Sequence, residues 1–186
     1  MRIVGGIFKG KKLFLPIDKN TRPLKDIVKE SIFNIIKHSN HINVNIKDSY
    51  ILDLFSGSGS FGLECISREA KKVFFLENHP NALKILIKNL NNLKNFQNYK
   101  IIENDCFEFL DNDRFFDNKF NIIFLDPPYK ELRINKLIDK IISKKLLALN
   151  GLIIIHRHKK DPIEISKKFK IIEEREYGIS KIYFGN

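Results

Sequence analysis

A hydrophobic run that ends on an acid and two prolines is the most distinctive chemical feature of the sequence. Residues 120–130 read FNIIFLDPPYK, so Asp126 is followed directly by Pro127, Pro128 and Tyr129. Because each proline fixes φ near about −65° and lacks an N–H, the backbone after the acid is stiff. This predicts that the Asp126 carboxylate and the Pro127 carbonyl are two acceptors held close together, beside an aromatic face on which a base could stack.

Two fixed acceptors of this kind suit one chemical task. An amino group conjugated to an aromatic base is a weak nucleophile, because its lone pair is delocalised into the ring. Acceptors that hold both of its hydrogens favour a pyramidal nitrogen, and positioning alone can contribute up to about 7–11 kcal/mol to a reaction. Asp126 is the expected final proton acceptor. In isolation, the same four residues could also be a stiff surface turn with an exposed aromatic.

A glycine turn precedes this segment in the chain. The stretch LDLFSGSGSFGLE places Gly57, Gly59 and Gly62 in a GxGxxG pattern between a strand and a helix. Glycines there permit positive φ and allow a ligand to approach the backbone at a helix N-terminus. A tight turn that needs glycine for geometry alone is the alternative interpretation.

Three acids follow or lie within the neighbouring strands. Glu77 ends the second strand, at the spacing where an acid binds a ribose diol, although it could instead stabilise the dipole of the next helix. Asp53 lies ahead of the glycines, where it would repel a pyrophosphate but could receive an ammonium, and Asp105 follows the third strand and could accept from an adenine amino group. These acids favour a positively charged ligand that carries an adenosine, and S-adenosylmethionine fits.

The element pattern predicts how these residues are positioned. From residue 50, near-continuous apolar strands alternate with helices, which predicts an α/β fold with a mostly parallel sheet covered on both faces. The predicted strands are YILDLF, KKVFFLE, YKIIE, FNIIFLD, LIIIHR, KFKIIEE and KIYFG, and the last two form a closing antiparallel hairpin. The predicted helices are LKDIVKESIFNIIKHS, FGLECISR, PNALKILIKNLNNL, CFEFL and INKLIDKIISKKLLAL. Since the fourth strand is expected beside the first, Asp126 should emerge next to the glycine turn.

Charge is concentrated at the two ends of the chain. Residues 1–37 carry nine basic and three acidic side chains, residues 38–129 have a net charge of −2, and residues 130–186 have a net charge of +7. Basic ends around a near-neutral middle favour a polyanionic partner such as nucleic acid. The first residues, MRIVGGIFKGKK, predict a short basic β hairpin or arm.

The cysteines, the histidines and the lengths of the apolar runs narrow the possible functions. The two cysteines, Cys65 and Cys106, have no metal-ligand spacing, which argues against structural zinc. His156 and His158 should point to one face of a strand, and we expect them to be solvated rather than metal-binding. With no apolar leader and no membrane-spanning run, we expect a cytoplasmic, soluble protein without metal.

With these residues assembled, the chain resembles S-adenosylmethionine-dependent amino-methyltransferases that carry an [ND]PPY motif. More narrowly, it resembles the bacterial 16S ribosomal RNA guanine-N2 methyltransferases, in the segments RIVGGIFKGKKL, TRPLKDIVKESIFNII, ILDLFSGSGSFGLECISREA and FLDPPYK. The resemblance implies a Rossmann-like class I methyltransferase with a seven-stranded sheet. It also implies a monomer that methylates guanine N2 in 16S ribosomal RNA, within a small-subunit particle. Residues 1–20 would form the basic arm, and residues 21–186 the methyltransferase domain.

The resemblance also implies roles for individual residues. Asp126, Pro127 and Tyr129 would hold and stack the target guanine. The implied cofactor site consists of Asp53, Phe55, Gly57, Gly59, Glu77, Asn78, Asp105 and Cys106, in which Asp53 and the glycines would hold the methionine part, Glu77 the ribose, and Asp105 with Cys106 the adenine. Arg22 would contact either the RNA or the cofactor carboxylate. The other expected RNA contacts, on the basic arm, are Arg2, Lys9, Lys11 and Lys12. Glu69 stands where the family usually has glycine.

Three other functions remain open at this point. A DNA adenine-N6 methyltransferase would use the same DPPY chemistry, although no target-recognition domain is visible. An NAD-dependent oxidoreductase would explain GxGxxG and Glu77 but not Asp53, Asp105 or DPPY. A non-enzymatic RNA-binding or assembly factor would use only the basic ends.

Overall fold

The computed structural model describes residues 1–16, 24–93, 96–112, 119–161 and 164–186. Within them lie seven strands: β1 Tyr50–Leu54, β2 Lys72–Leu76, β3 Tyr99–Ile102, β4 Phe120–Leu125, β5 Leu147–His158, β6 Ile171–Tyr177 and β7 Ser180–Gly185. The helices of the same residues are α1 Asp26–His38, α2 Ser60–Ser67, α3 Pro80–Asn92, α4 Cys106–Asp111 and α5 Ile134–Ser143.

All seven strands form one sheet in the order β3-β2-β1-β4-β5-β7-β6. The pairs β1–β2, β2–β3, β1–β4 and β4–β5 are parallel, whereas β7 is antiparallel to both β5 and β6. The predicted mostly parallel sheet, its closing antiparallel hairpin and the neighbourhood of the first and fourth strands are therefore confirmed.

The core has two layers because successive strand residues point to opposite faces of the sheet. Helices α1, α2 and α3 cover the face of Ile51 and Phe124, together with Phe33, Phe61 and Leu86. Helices α4 and α5 cover the face of Leu52 and Leu125, together with Phe109, Leu137 and Ile141. The central strands β1 and β4 are thus buried on both faces, as their apolar sequences predict, whereas the edge strand β6 remains largely exposed.

Two of the predicted helices differ in detail from the structure. The predicted fifth helix, residues 134–149, ends at Ser143, because Lys145 takes a left-handed conformation with φ of 51° and β5 already begins at Leu147. The apolar run after Lys145 pairs with β4 instead of continuing the helix. The helical spacing of the apolar residues in α1 predicts that Ile27 is buried with Val28 and Ile32, but Ile27 is 67% exposed, while Phe33 is fully buried.

The N-terminal residues form a hairpin that packs on the sheet's first helical layer. Arg2 pairs with Lys12 in an antiparallel bridge, and the N–H of Ile3 donates to the carbonyl of Lys11 at 2.9 Å. Ile3 and Leu13 are buried in the core shared with α1 and α2. The tip of the hairpin lies against the last residue of α2, because the N–H of Ile7 donates to the Ser67 carbonyl at 2.7 Å.

Candidate active site

The strand registers place the candidate residues in one row. Leu54 of β1 is aligned with Leu76 of β2 and with Leu125 of β4, and the register continues to Ile102 of β3 and Ile155 of β5. The residues that follow these five are Phe55, Glu77, Glu103, Asp126 and His156. Because parallel strands end at a common edge, these residues lie along the carboxyl edge of the sheet, where α/β proteins bind ligands.

The turn after β1 requires glycine at two positions. Gly57 and Gly59 have φ of 56° and 82°, and Phe55 before them also has positive φ, at 60°. A Cβ on Gly59 would lie 2.5 Å from the Leu86 side chain, so this position lacks both the space and the backbone conformation for another residue. Gly59 therefore allows the turn to pack against α3, while Gly57 is half-buried ahead of α2.

Gly62, the third glycine of the motif, lies inside α2 rather than in the turn. A Cβ there would come within 2.2 Å of the Phe75 ring on β2, so its role is close packing of helix against strand. Its N–H donates to the Asp53 carboxylate at 2.9 Å. Asp53 thereby connects the end of β1 to the first turn of α2.

Glu77 connects the second strand to the glycine turn. One carboxylate oxygen accepts from the Gly57 N–H at 2.6 Å, and the other accepts from the N–H groups of Asn78 and His79 at 3.0 and 2.8 Å. The side chain is only 8% exposed. Glu77 fixes both the glycine turn and the start of α3, which leaves limited capacity for additional donors on its carboxylate.

Asp105 and Asn78 link the ends of β3 and β2. One oxygen of Asp105 accepts from the N–H groups of Phe107 and Glu108 at the start of α4. The other oxygen faces the Asn78 side-chain amide at 3.4 Å. Next to them Cys106 is buried, and this burial raises the pKa of its thiol above the ordinary value, so it remains a thiol.

The electrostatics of this edge favour a cation. Burial raises the pKa of the Asp53 carboxyl well above its ordinary value, the Gly62 N–H opposes this, and the nearby carboxylates of Asp126 and Glu77 raise it further. A positively charged ligand nearby would lower the cost of ionising Asp53. The site thus has the charge expected for a cationic ligand rather than for a pyrophosphate.

Asp126 is the first residue after β4, and its carboxylate contacts a histidine of the neighbouring strand β5. The Asp126 Oδ1 lies 2.8 Å from Nδ1 of His156, which is the residue after the aligned Ile155 of β5. The Asp126 side chain is 20% exposed, whereas the His156 side chain is 8% exposed. Pro127 is buried and Tyr129 is half-buried, so the acid opens toward solvent at the strand end while its support remains inside.

Arg157, fully buried in β5, holds the loop after the two prolines. Its guanidinium donates to the carbonyls of Pro128, Tyr129 and Glu131 at 3.2–3.4 Å and pairs with Asp161. These carbonyls cannot be satisfied by a helix, because the backbone is already committed to the proline turn. Tyr129 also meets the His158 ring edge-on, at 5.1 Å between ring centroids.

The two histidines differ from the sequence interpretation. His156 was expected to be solvated but is buried and contacts Asp126, and His158 packs on Tyr129 instead of standing free. Neither His156 nor Arg157 was predicted to support the site. The signal that could have identified them is their position at the end of β5, beside the strand that ends on Asp126.

The predicted RNA-contacting residues lie on the hairpin. Arg2, Lys9 and Lys12 are exposed. Lys11 is half-buried, and its ammonium donates to the Asn92 carbonyl at the end of α3. The hairpin tip lies at the far end of α2, about 12 Å along the helix from the glycine turn. Arg22 lies outside the described residues.

Neither a metal-binding cluster nor a membrane-spanning helix occurs among the described residues. Among the described residues, no cluster of His, Cys, Asp and Glu has the arrangement of a metal site. No helix in the described ranges is long and apolar enough to cross a membrane.

Comparison with known proteins gives relatives for the whole chain. Ribosomal RNA small subunit methyltransferase D of Haemophilus influenzae is 33% identical over 180 residues, which cover 96% of this chain and 90% of the relative. The protein of the same name from Escherichia coli is 33% identical over 155 residues, covering 83% and 73% of the two chains.

Solved structures agree with this relationship. The Escherichia coli protein yhhF has a TM-score of 0.80 at 28% identity and covers 100% of this chain and 96% of its own. A Haemophilus influenzae methylase structure has a TM-score of 0.76 at 30% identity, with coverage of 99% and 96%. The family model described as conserved hypothetical protein 95 matches residues 1–186. The described sheet and helices form a Rossmann-like α/β fold. The chain therefore belongs to the conserved hypothetical protein 95 family.

Proposed function

We propose that this protein transfers a methyl group from S-adenosylmethionine to the exocyclic N2 of a guanine in 16S ribosomal RNA. Its relatives bear the name ribosomal RNA small subunit methyltransferase D, which supports methylation of ribosomal RNA as the reaction. The observation that carries the proposal is the position of Asp126. Asp126 follows directly after β4, which pairs in parallel with β1, and β1 leads into the glycine turn. A base held at Asp126 would therefore meet a cofactor bound at the turn.

The residues of the sheet edge fit S-adenosylmethionine, the methyl donor. The carboxyl groups of Asp53 and Glu77, which interact electrostatically at this edge, would attract the positive charges of this cofactor. Gly57 would provide backbone that a ligand can approach, and Asn78 and Asp105 would face an adenosine that extends across β2 and β3. The cofactor supplies an electrophilic methyl group, and the chain supplies the charge and the backbone that orient it.

The residues after β4 would position and deprotonate the nucleophile. The two N–H groups of the amine would donate hydrogen bonds to the Asp126 carboxylate and the Pro127 carbonyl, and Tyr129 would stack on the base. The nitrogen lone pair would form the new bond to the methyl carbon as the carbon–sulfur bond breaks, and the electron pair of the broken bond would stay on sulfur. The nitrogen loses one proton to Asp126, which restores a neutral methylated amine.

The basic surface supports an RNA substrate. Lys130, Lys159 and Lys160 are exposed on the two loops that Arg157 holds together, beside Tyr129. The hairpin adds Arg2, Lys9 and Lys12 at a greater distance. We propose that the lysines beside Tyr129 contact phosphates near the target base and that residues 1–20 act as an arm for more distant phosphates. The remaining residues, 21–186, act as the methyltransferase domain, and a small-subunit particle with one monomer bound is the proposed complex.

The direct test is mass spectrometry of nucleosides from small-subunit RNA of cells with and without the gene. We expect one N2-methylguanosine to be missing without the gene and to reappear when purified protein and cofactor are added to RNA or particles from those cells. An unchanged guanine mark would contradict the proposal. Methyl transfer to adenine N6 of DNA at a higher rate than to ribosomal RNA would favour the DNA methyltransferase instead.

A further inference from the structure

We propose that His156 is a positioning residue for Asp126, and that it acts as the neutral Nδ1–H tautomer donating to one carboxylate oxygen. This inference rests on the proposed function in one respect, the role of Asp126 toward the amine. The hydrogen bond itself and its direction are independent of that role. His156 touches no part of the expected substrate, so its effect would be exerted through the acid.

The geometry is fixed by the sheet rather than by a flexible loop. Leu125 and Ile155 are register partners in the parallel pair of β4 and β5, so the next residues of the two strands emerge side by side. The imidazole Nδ1 and the Asp126 Oδ1 are 2.8 Å apart, within the range for a charge-assisted hydrogen bond. On its other side β5 pairs with β7, where Ile182 is the partner of His156.

The surroundings of the ring determine which nitrogen carries the hydrogen. The carboxylate needs a donor, so Nδ1 must bear hydrogen unless the acid itself is protonated. Nε2 is buried and has no hydrogen-bond partner among the described residues. An imidazolium would place a charged, unpaired N–H at Nε2 in a buried position, which is more costly than a bare lone pair there. The neutral Nδ1–H form is therefore the one that this environment favours.

This hydrogen bond would select how the acid meets its substrate. With Oδ1 occupied by the buried ring, Oδ2 is the oxygen left for the amine at the exposed strand end. The bond also limits rotation of the carboxylate about its side-chain torsion. An acceptor that is already oriented needs less reorganisation as charge develops on the amine nitrogen. Arg157, the next residue of β5, holds the loop carbonyls in the same way, so consecutive residues of β5 support the acid and the loop.

A pair of variants tests this role. In His156→Asn, the side-chain NH₂ can occupy the place of Nδ1–H, whereas His156→Leu has similar volume but no donor. We expect His156→Leu to lower the single-turnover rate of methyl transfer about 10- to 100-fold, since small misplacements of a reacting group cost this much. His156→Asn should retain the rate within about threefold, and the cofactor dissociation constant should stay within about twofold in both. Circular dichroism and the unfolding temperature control for folding.

The outcomes separate positioning from general stability. If both variants lose the rate equally, or if the cofactor affinity falls together with the rate, His156 only supports the fold and the inference is overturned. A second measurement needs no RNA. Long-range ¹H–¹⁵N NMR of the imidazole in wild-type protein should show hydrogen on Nδ1 and none on Nε2, and Asp126→Ala should shift the Nδ1 signal. Hydrogen on Nε2 instead would overturn the proposed direction, whether or not ribosomal RNA proves to be the substrate.

Discussion

At the scale of single residues, Asp53 has the most unusual environment of the acids in the candidate site. It is 1% exposed, and its main partner is the Gly62 N–H at 2.9 Å. Burial raises the pKa of its carboxyl well above the ordinary value. Since a raised pKa reflects a carboxylate that is costly to form, a positively charged ligand bound beside Asp53 would favour its ionised form.

The raised pKa of Asp53 predicts a specific dependence of stability on pH. An unfolded aspartate titrates near about 3.9, and the folded protein binds this proton more tightly. The resulting stabilisation is fully present below the unfolded pKa and is lost as the pH rises through the folded pKa, with a slope of at most about 1.4 kcal/mol per pH unit. Asp53→Asn keeps an acceptor for Gly62 but cannot ionise. We therefore expect its free energy of unfolding, relative to wild type, to increase with pH.

Urea denaturation of the cofactor-free protein at several pH values between about 4 and 8 measures this difference. Glu30→Gln removes an exposed acid from α1 and serves as the matched control. Its difference from wild type should change little with pH. Parallel curves for wild type and Asp53→Asn would show that the Asp53 carboxyl has no raised pKa in the folded protein.

At the scale of elements, a buried lysine fastens the N-terminal hairpin to the helix that follows the glycine turn. The ammonium of Lys29 on α1 donates to the Arg2 carbonyl at 2.6 Å and to the Ser60 hydroxyl at 3.3 Å, and it lies 3.9 Å from the Glu64 carboxylate. Glu64 in turn accepts from the Val4 N–H at 2.8 Å. The hairpin and α2 thus share one buried polar network.

Asn89 makes a second connection of the same kind. Its side-chain amide exchanges hydrogen bonds with the backbone of Phe14 and also donates to the Ser58 carbonyl in the glycine turn, at 2.9 Å. Buried side chains of α1 and α3 therefore connect the base of the hairpin to the start of α2 and to the glycine turn. Movement of the hairpin would disturb this turn, which we propose as part of the cofactor site.

Lys29→Met should weaken this attachment. Burial lowers the pKa of Lys29, while the carboxylates of Glu64 and Asp26 oppose this shift, so the charge depends on its partners. Removing one partner of a buried ionic network costs about 3–5 kcal/mol, and we expect a loss near the lower limit because Arg68 still pairs with Glu64. Urea denaturation measures the loss, and hydrogen exchange should accelerate at the amide of Ile3.

The control for this variant is Lys25→Met, which removes an exposed lysine one turn earlier on the chain. An exposed substitution of this kind should change the free energy of unfolding by at most about 0.5 kcal/mol. Equal stability of the two variants, with equal exchange at Ile3, would mean that Lys29 does not anchor the hairpin.

At the scale of the whole molecule, the sequence pattern predicted the sheet because largely apolar strands alternate with helices from residue 50 onward. The alternation of strands and helices also predicted that β1 and β4 are neighbours. This arrangement placed Asp126 beside the glycine turn. The contact between His156 and Asp126 could not be predicted from this pattern. Whether His156 is solvated or buried depends on the register of β4 and β5, and Lys29 is buried only because Arg2 folds back over α1. Such contacts are set by tertiary packing, which a single sequence does not display.

Charge is also organised across the whole molecule. Acids are concentrated at the carboxyl edge of the sheet, with Glu77 and Asp126 among them, and exposed lysines stand on the adjoining loops at 130, 159 and 160. A negative centre with a positive rim suits a cationic cofactor and a polyanionic substrate that meet at one place. We propose that the cofactor and the target base meet at Asp126.

The most direct test of that claim compares cofactor binding with methyl transfer in Asp126→Ala. We expect the dissociation constant for S-adenosylmethionine to remain within about threefold of wild type, because the glycine turn, Glu77 and Asp105 are untouched. The single-turnover transfer rate should fall by at least about 10³, as expected when a fixed group that stabilises the transition state is lost. Glu131→Gln, which removes an acid from the same loop, should leave both quantities nearly unchanged. Equal loss of binding and transfer, or transfer that persists without the carboxylate, would contradict the account.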